Sequence, residues 1–128
     1  MNVPTGMGVV RTVIALVSPD RSRREPIPLV VDTGSLFTWL PADRAAALGI
    51  APEGIQRFRA IDGRLIERSV ADARIEWENI GAIVRIVLGE PGDVSVLGLT
   101  SLETLGLEVD PRSQSLRRSD SLLALKAA

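Results

Sequence analysis

The sequence contains no cysteine and no histidine. Without cysteine there is no disulfide and no thiol nucleophile, and the redox compartment is left open. Without histidine the Ser-His-Asp and Cys-His catalytic classes lose their base. Ordinary zinc and iron sites lose their usual ligands as well, so neither a metal nor another cofactor is expected. Tyrosine is absent, and aromatic residues make up only 3% of the chain. Of the 15 basic residues 14 are Arg, leaving Lys126 as the one lysine, and the formal net charge is −1. That balance gives no electrostatic argument for nucleic acid or an anionic membrane as partner. Apolar runs such as residues 13–17 fall far short of a membrane span. Residues 1–8 show no basic region followed by an apolar stretch, so the expectation is a soluble cytoplasmic protein without a signal peptide. The groups left for chemistry near neutral pH are carboxylates, with hydroxyls to assist them.

What is present is an ordinary globular composition, 45% apolar and 24% charged over 128 residues. The length suits one domain spanning 1–128, with a core over about 9–116 and a loosely held tail at 117–128. Residues 9–17 are rich in β-branched side chains and read as a strand. Residues 18–25 read as a solvated hairpin loop, and 28–31 as a short strand buried on both faces. Pro41 at the start and Gly49 beyond the end punctuate a helix over 41–48. Asp62-Gly63 is a strong hairpin signal between strands within 57–70. Further strands are expected at 73–77, 82–88 and 94–97, with a turn at 90–93. Thr100 and Glu103 fit a capping box opening a helix that ends near Gly106. Extended chain follows at 107–109, and a last strand at 114–116. Six or more short strands with two short helices argue a mainly β barrel or sandwich.

One stretch carries chemistry. The apolar run Leu29-Val30-Val31 ends in Asp32-Thr33-Gly34-Ser35, with Trp39 and Pro41 seven and nine residues after the aspartate. Asp-Thr-Gly alone also reads as a strand-end turn. Here it follows a buried strand and is extended by Ser35, Trp39 and Pro41. It is answered about 64 residues later by Val96-Leu97-Gly98 before a helix. The loop resembles the active-site loop of aspartic proteases, and the hydrophobic-hydrophobic-Gly element resembles that superfamily's second signature. The order of elements over about 9–116 is similar to the half-size, retropepsin-like branch. The resemblance implies a mainly β, closed-barrel acid-protease fold with one or two short helices.

Only one Asp-Thr-Gly is present, and the reaction needs two aspartates, so the resemblance implies a homodimer. Two carboxylates about 3 Å apart share one proton, and a water between them attacks the peptide carbonyl. Asp32 is then the catalytic residue. Thr33 resembles the threonine that hydrogen-bonds across the dyad. Gly34 admits close backbone approach, and Ser35 resembles a hydroxyl position that hydrogen-bonds the carboxylate. Val96, Leu97 and Gly98 support the loop. Ile61, Asp62, Gly63 and Arg64 are the tip of a substrate-covering flap. Trp39 is expected to pack in the core rather than touch substrate. The absence of tyrosine removes the pepsin-type flap tyrosine, and the tail at 119–128 does not match the interlaced ends of viral members.

Two other readings compete. An actin-like phosphate loop also places an acid after an apolar strand, but that fold needs two domains and further nucleotide motifs. A catalytically silent dimeric binding or assembly module with the same fold is the serious alternative. Against it, a scaffold has no use for paired buried carboxylates that cost stability. Arg57, Arg59, Arg64 and Arg68 flank the expected flap. Solvated strand faces explain them at least as well as a preference for acidic peptides.

Overall fold

A computed structural model describes residues 9–119. Nine strands and two short helices lie among them: β1 Val10–Val17, β2 Arg24–Val31, β3 Thr38–Pro41, α1 Ala42–Ala47, β4 Gly54–Arg59, β5 Leu65–Trp77, β6 Ile80–Gly89, β7 Val96–Leu97, α2 Leu99–Leu105, β8 Leu107–Asp110 and β9 Ser115–Arg118. The architecture is therefore mainly β, and neither helix is long enough to cross a membrane.

Seven strands form one sheet in the order β1-β2-β7-β3-β6-β5-β4, and an additional β1–β5 pairing closes six of them into a ring. Closure depends on the length of β5. One edge pairs with β4 over residues 65–70 and with β1 over 74–76, while the other edge pairs with β6. Strands β8 and β9 form a separate hairpin whose Leu107 and Leu116 are buried in the main core. Alternation on β1 turns Val10, Ile14 and Leu16 inward and leaves Arg11 and Val13 exposed. Period-two burial of this kind fixes the register, because a one-residue slip would expose the whole set. Ile27, Ile75, Ile86 and Leu97 meet them in the ring's interior.

The β1–β2 loop is held by polar groups. Ser18 Oγ accepts from Arg23 N and donates to Asp20 Oδ1, which also accepts from Ser22 N and Ser22 Oγ. The hydrogen bonds from Ser22 and Ser18 hold the Asp20 carboxyl down at about 2. Past the loop, Arg24 forms a fork onto Glu76 of β5, at 2.7 and 3.2 Å.

Several expectations need correction. Strand β2 starts at Arg24, not Pro28, and its burial alternates rather than being complete on both faces. Prolines 26 and 28 are tolerated because β7 pairs only with Val30 and Val31, leaving that edge of β2 open. Strand β3 is additional to the expected elements. Pro41 is its last residue and caps α1 with φ −62° and ψ 129°, instead of being the first helical residue. The two strands expected within 57–70 and 73–77 share one continuous β5. The tip turn is wider than a two-residue hairpin. Gly63 N donates to Ala60 O and Ala60 N to Arg64 O, with Gly63 at φ +88°, a conformation glycine adopts without strain. Finally, α2 starts at Leu99 with Gly98 as its cap and no side-chain cap bond, so the Thr100–Glu103 capping box does not form. Of the tail expected to be loose, Arg117 and Arg118 belong to β9, and 120–128 lie outside the described residues.

Candidate active site

The site is built where the sheet order departs from chain order. Strand β7 lies between β2 and β3, so the loop joining β2 to β3 must pass over the end of β7. That loop is Asp32 to Phe37. Asp32 N donates to Leu97 O at 2.9 Å, extending the β2–β7 pairing by one bond. Trp39 pairs with Val96 on the other side of β7.

Gly98 makes the crossing possible. A Cβ placed there would lie 2.3 Å from Phe37 O, 2.5 Å from Phe37 C and 2.8 Å from Ser35 O, all backbone atoms that cannot turn away. Because the loop presses this close, its carbonyls reach the start of α2. Leu99 N donates to Ser35 O at 2.8 Å and Thr100 N to Leu36 O at 3.0 Å. Thr100 Oγ1 also donates to Leu36 O. These are amides that a helix start leaves without intrahelical partners. The loop takes the place of the expected capping box, which is why Thr100 faces Leu36 instead of Glu103.

Beneath the loop a second contact locks the same junction. Thr38 and Ser101 are buried, and their hydroxyls lie 2.5 Å apart. Thr38 Oγ1 also accepts from Gly98 N at 3.0 Å. The Thr38 hydroxyl thus accepts the Gly98 amide and shares one hydrogen bond with the Ser101 hydroxyl, so these buried groups are paired.

The Asp32 side chain is exposed at the end of β2. Its Oδ1 accepts from Gly34 N at 2.9 Å, a charge-assisted bond that fixes the carboxylate over its own loop. A Cβ on Gly34 would come within 3.2 Å of that oxygen, so glycine leaves room for the carboxylate itself. The Thr33 hydroxyl is exposed and makes no hydrogen bond among the described residues. Ser35 differs from expectation: its Oγ donates to Phe37 O at 2.8 Å and not to Asp32. It acts within the loop, tying the turn to the strand that follows.

A cleft of about 380 Å³ lies between the loop and the β4–β5 hairpin, lined by Gly34, Leu36, Phe37, Trp39, Phe58 and Ile61 among others. Trp39 is half-buried there with its ring 5.0 Å from that of Phe58, and Phe37 stands edge-on to Phe58 at 6.5 Å. The expectation that Trp39 packs in the core is thus corrected. Three of the chain's four Phe and Trp residues meet in this cleft, in a sequence with no tyrosine. Phe37, Phe58 and Ile66 were not among the expected site residues. The readable signal was the alternation that turns Gln56 and Phe58 to the same face of β4. At the hairpin tip only Ile61 of the four expected residues lines the cleft, and it is fully exposed. Asp62 and Arg64 pair with each other instead, at 2.7 Å. The hydrogen bonds from Arg64 lower the Asp62 carboxyl below its usual range. Among the described residues no group of three or more carboxylates is placed to hold a metal ion.

No family model matches the sequence, and no curated protein matches it. Among solved structures the chain is similar to the protease of EIAV in complex with the inhibitor HBY-793. The TM-score is 0.63 at 15% identity, covering 85% of this chain and 99% of that one. The likeness spans nearly the whole of the viral enzyme, so this chain has the retropepsin-like fold, with Asp32 on its exposed loop beside an aromatic cleft.

Proposed function

We propose that the chain is an aspartic endopeptidase that works as a homodimer, each copy supplying one Asp32. The observation that carries this reading is the placement of Asp32. Its carboxylate is exposed on a loop held by four backbone–backbone hydrogen bonds, to β7, to α2 and within the loop, and it accepts a further bond from Gly34 N, beside an apolar cleft. Within one copy the carboxylate accepts one hydrogen bond, from Gly34 N through Oδ1, and a second copy placed about a two-fold axis would give the exposed group a partner. The retropepsin-like fold supports the same assignment.

In the dimer the two carboxylates hold one proton between them, because like charges this close do not both ionise. The ionised member takes a proton from the water held between them as the water oxygen attacks the peptide carbonyl carbon. The protonated member gives its proton to the carbonyl oxygen. Collapse of the resulting tetrahedral diol breaks the C–N bond, and the amine leaves with a proton returned by the pair. No covalent enzyme intermediate forms. The hairpin tip at 60–64 acts as the flap, with Ile61 closing the cleft over substrate, and Trp39, Phe37 and Phe58 form the wall against which a substrate side chain packs.

The test is cleavage of an unstructured protein such as casein from acidic to neutral pH. Activity is expected in the wild type, and none in Asp32→Asn or with a statine-type inhibitor. Undiminished cleavage by Asp32→Asn would refute the assignment. Absence of both cleavage and inhibitor binding in the wild type would favour a silent module.

A further inference from the structure

The arginines around the hairpin are not equivalent. Arg57 pairs with Glu67 on the facing strand at 3.0 Å, and Arg64 with Asp62 at 2.7 Å. Arg68 pairs with Asp93 at 2.7 Å and with Glu90 at 3.6 Å. Each of these charges is matched locally. Arg59 is different. Its partner across the hairpin is Leu65, and its one hydrogen bond goes to a neutral acceptor, Nη1 to Gly63 O at 3.2 Å. It has no carboxylate within ion-pair distance among the described residues. It is also the one charged residue lining the cleft beside the Asp32 loop, where the other lining residues are apolar, aromatic or neutral.

Arg59 is exposed at an apolar cleft with its charge unmatched, so it attracts an anionic group that approaches the cleft, in a salt-dependent way. The bond across the turn to Gly63 O restrains it at the tip, and its remaining N–H groups form a planar fork suited to a carboxylate. We propose that Arg59 is a specificity-determining residue. It selects peptides that carry an Asp or Glu side chain close to the apolar residue seated in the cleft. The inference rests on the endopeptidase reading. In a two-fold dimer each copy brings one Arg59, so the acidic preference falls on both sides of the cleaved bond.

The experiment uses statine-containing peptide inhibitors in matched pairs, with Glu or Gln at successive positions on either side of the statine. Wild type should bind the Glu member about fivefold more tightly at one position on each side at low salt, and 1 M salt should erase the difference. Arg59→Gln should lose the discrimination. Arg59→Glu should prefer a Lys-bearing inhibitor at the same positions. Equal binding of Glu and Gln members at every position, or discrimination retained by Arg59→Gln, would overturn the inference and leave the protease reading intact. Failure of the wild type to bind any inhibitor would overturn both.

Discussion

Gly98→Ala should damage the molecule more than any other single methyl group added to a glycine with ordinary backbone angles. The new Cβ would fall 2.3 Å from Phe37 O and 2.8 Å from Ser35 O. Those atoms belong to the crossing loop and not to a side-chain end that can swing aside. Either the loop lifts or α2 retreats. Overpacking alone costs about 1–3 kcal/mol. Separation would also weaken the Leu99–Ser35 and Thr100–Leu36 bonds, each worth about 1 kcal/mol. The sum is about 3–5 kcal/mol, a large share of the roughly 5–15 kcal/mol by which domains are stable. The midpoint of thermal unfolding should then fall by about 10 °C or more. Gly54→Ala is the control. Its Cβ meets only Val70 Cγ2, at 3.9 Å, so a change within about 0.5 kcal/mol is expected. Circular dichroism melts give the midpoints, and hydrogen exchange at the Leu99 and Thr100 amides reports whether the loop has lifted. A Gly98→Ala melt within about 2 °C of wild type, with both amides still protected, would refute the reasoning.

Thr38→Val keeps the shape of the side chain but leaves the Gly98 amide and the Ser101 hydroxyl without their buried partner. Urea unfolding should show a loss of about 1–3 kcal/mol, and an unchanged midpoint would contradict the pairing described. Glu76 is held down at about 2 from its ordinary 4.5, first by the hydrogen bond from Arg24 and then by that from Arg74, against the opposing pull of burial. A carboxyl depressed in the folded state stabilises above its unfolded value, and the stabilisation is lost as pH falls through the folded one. Wild type should therefore lead Glu76→Gln in urea midpoint at pH 6, with the gap closing between pH 4.5 and about 2. A gap that stays constant across that range would show the ion pairs to be idle.

The site was legible where chemistry is local in sequence. Leu29 to Ser35 spells strand, carboxylate and tight loop in adjacent residues, and Val96-Leu97-Gly98 spells a second strand with a glycine at its end. What joins them was not legible. Nothing near Gly98 announces that Phe37 O will lie against it, because that contact follows from β7 entering between β2 and β3. The same crossing defeats the Thr100–Glu103 capping box, since loop carbonyls reach the helix amides first. Ring closure through Leu16 and Ile75 joins residues far apart in sequence. The unbroken β5 reads as two strands in the sequence because Ala71 and Asp72, which separate the expected segments, are small or polar. In the fold, β6 pairs along its edge from Val70 to Trp77 without interruption. Trp39 looked like core because it is large and apolar, yet the sparse aromatic content is concentrated in the cleft.

The central claim is that each active unit contains two copies of Asp32, one from each chain. Mixing wild type with an equal amount of Asp32→Asn at fixed total chain concentration, after dissociation and reassociation, tests it in one titration. Random pairing leaves about a quarter of the dimers with both aspartates. The account therefore predicts cleavage at about a quarter of the undiluted wild-type rate, and retention of about half, as expected if each chain acts alone, would contradict it.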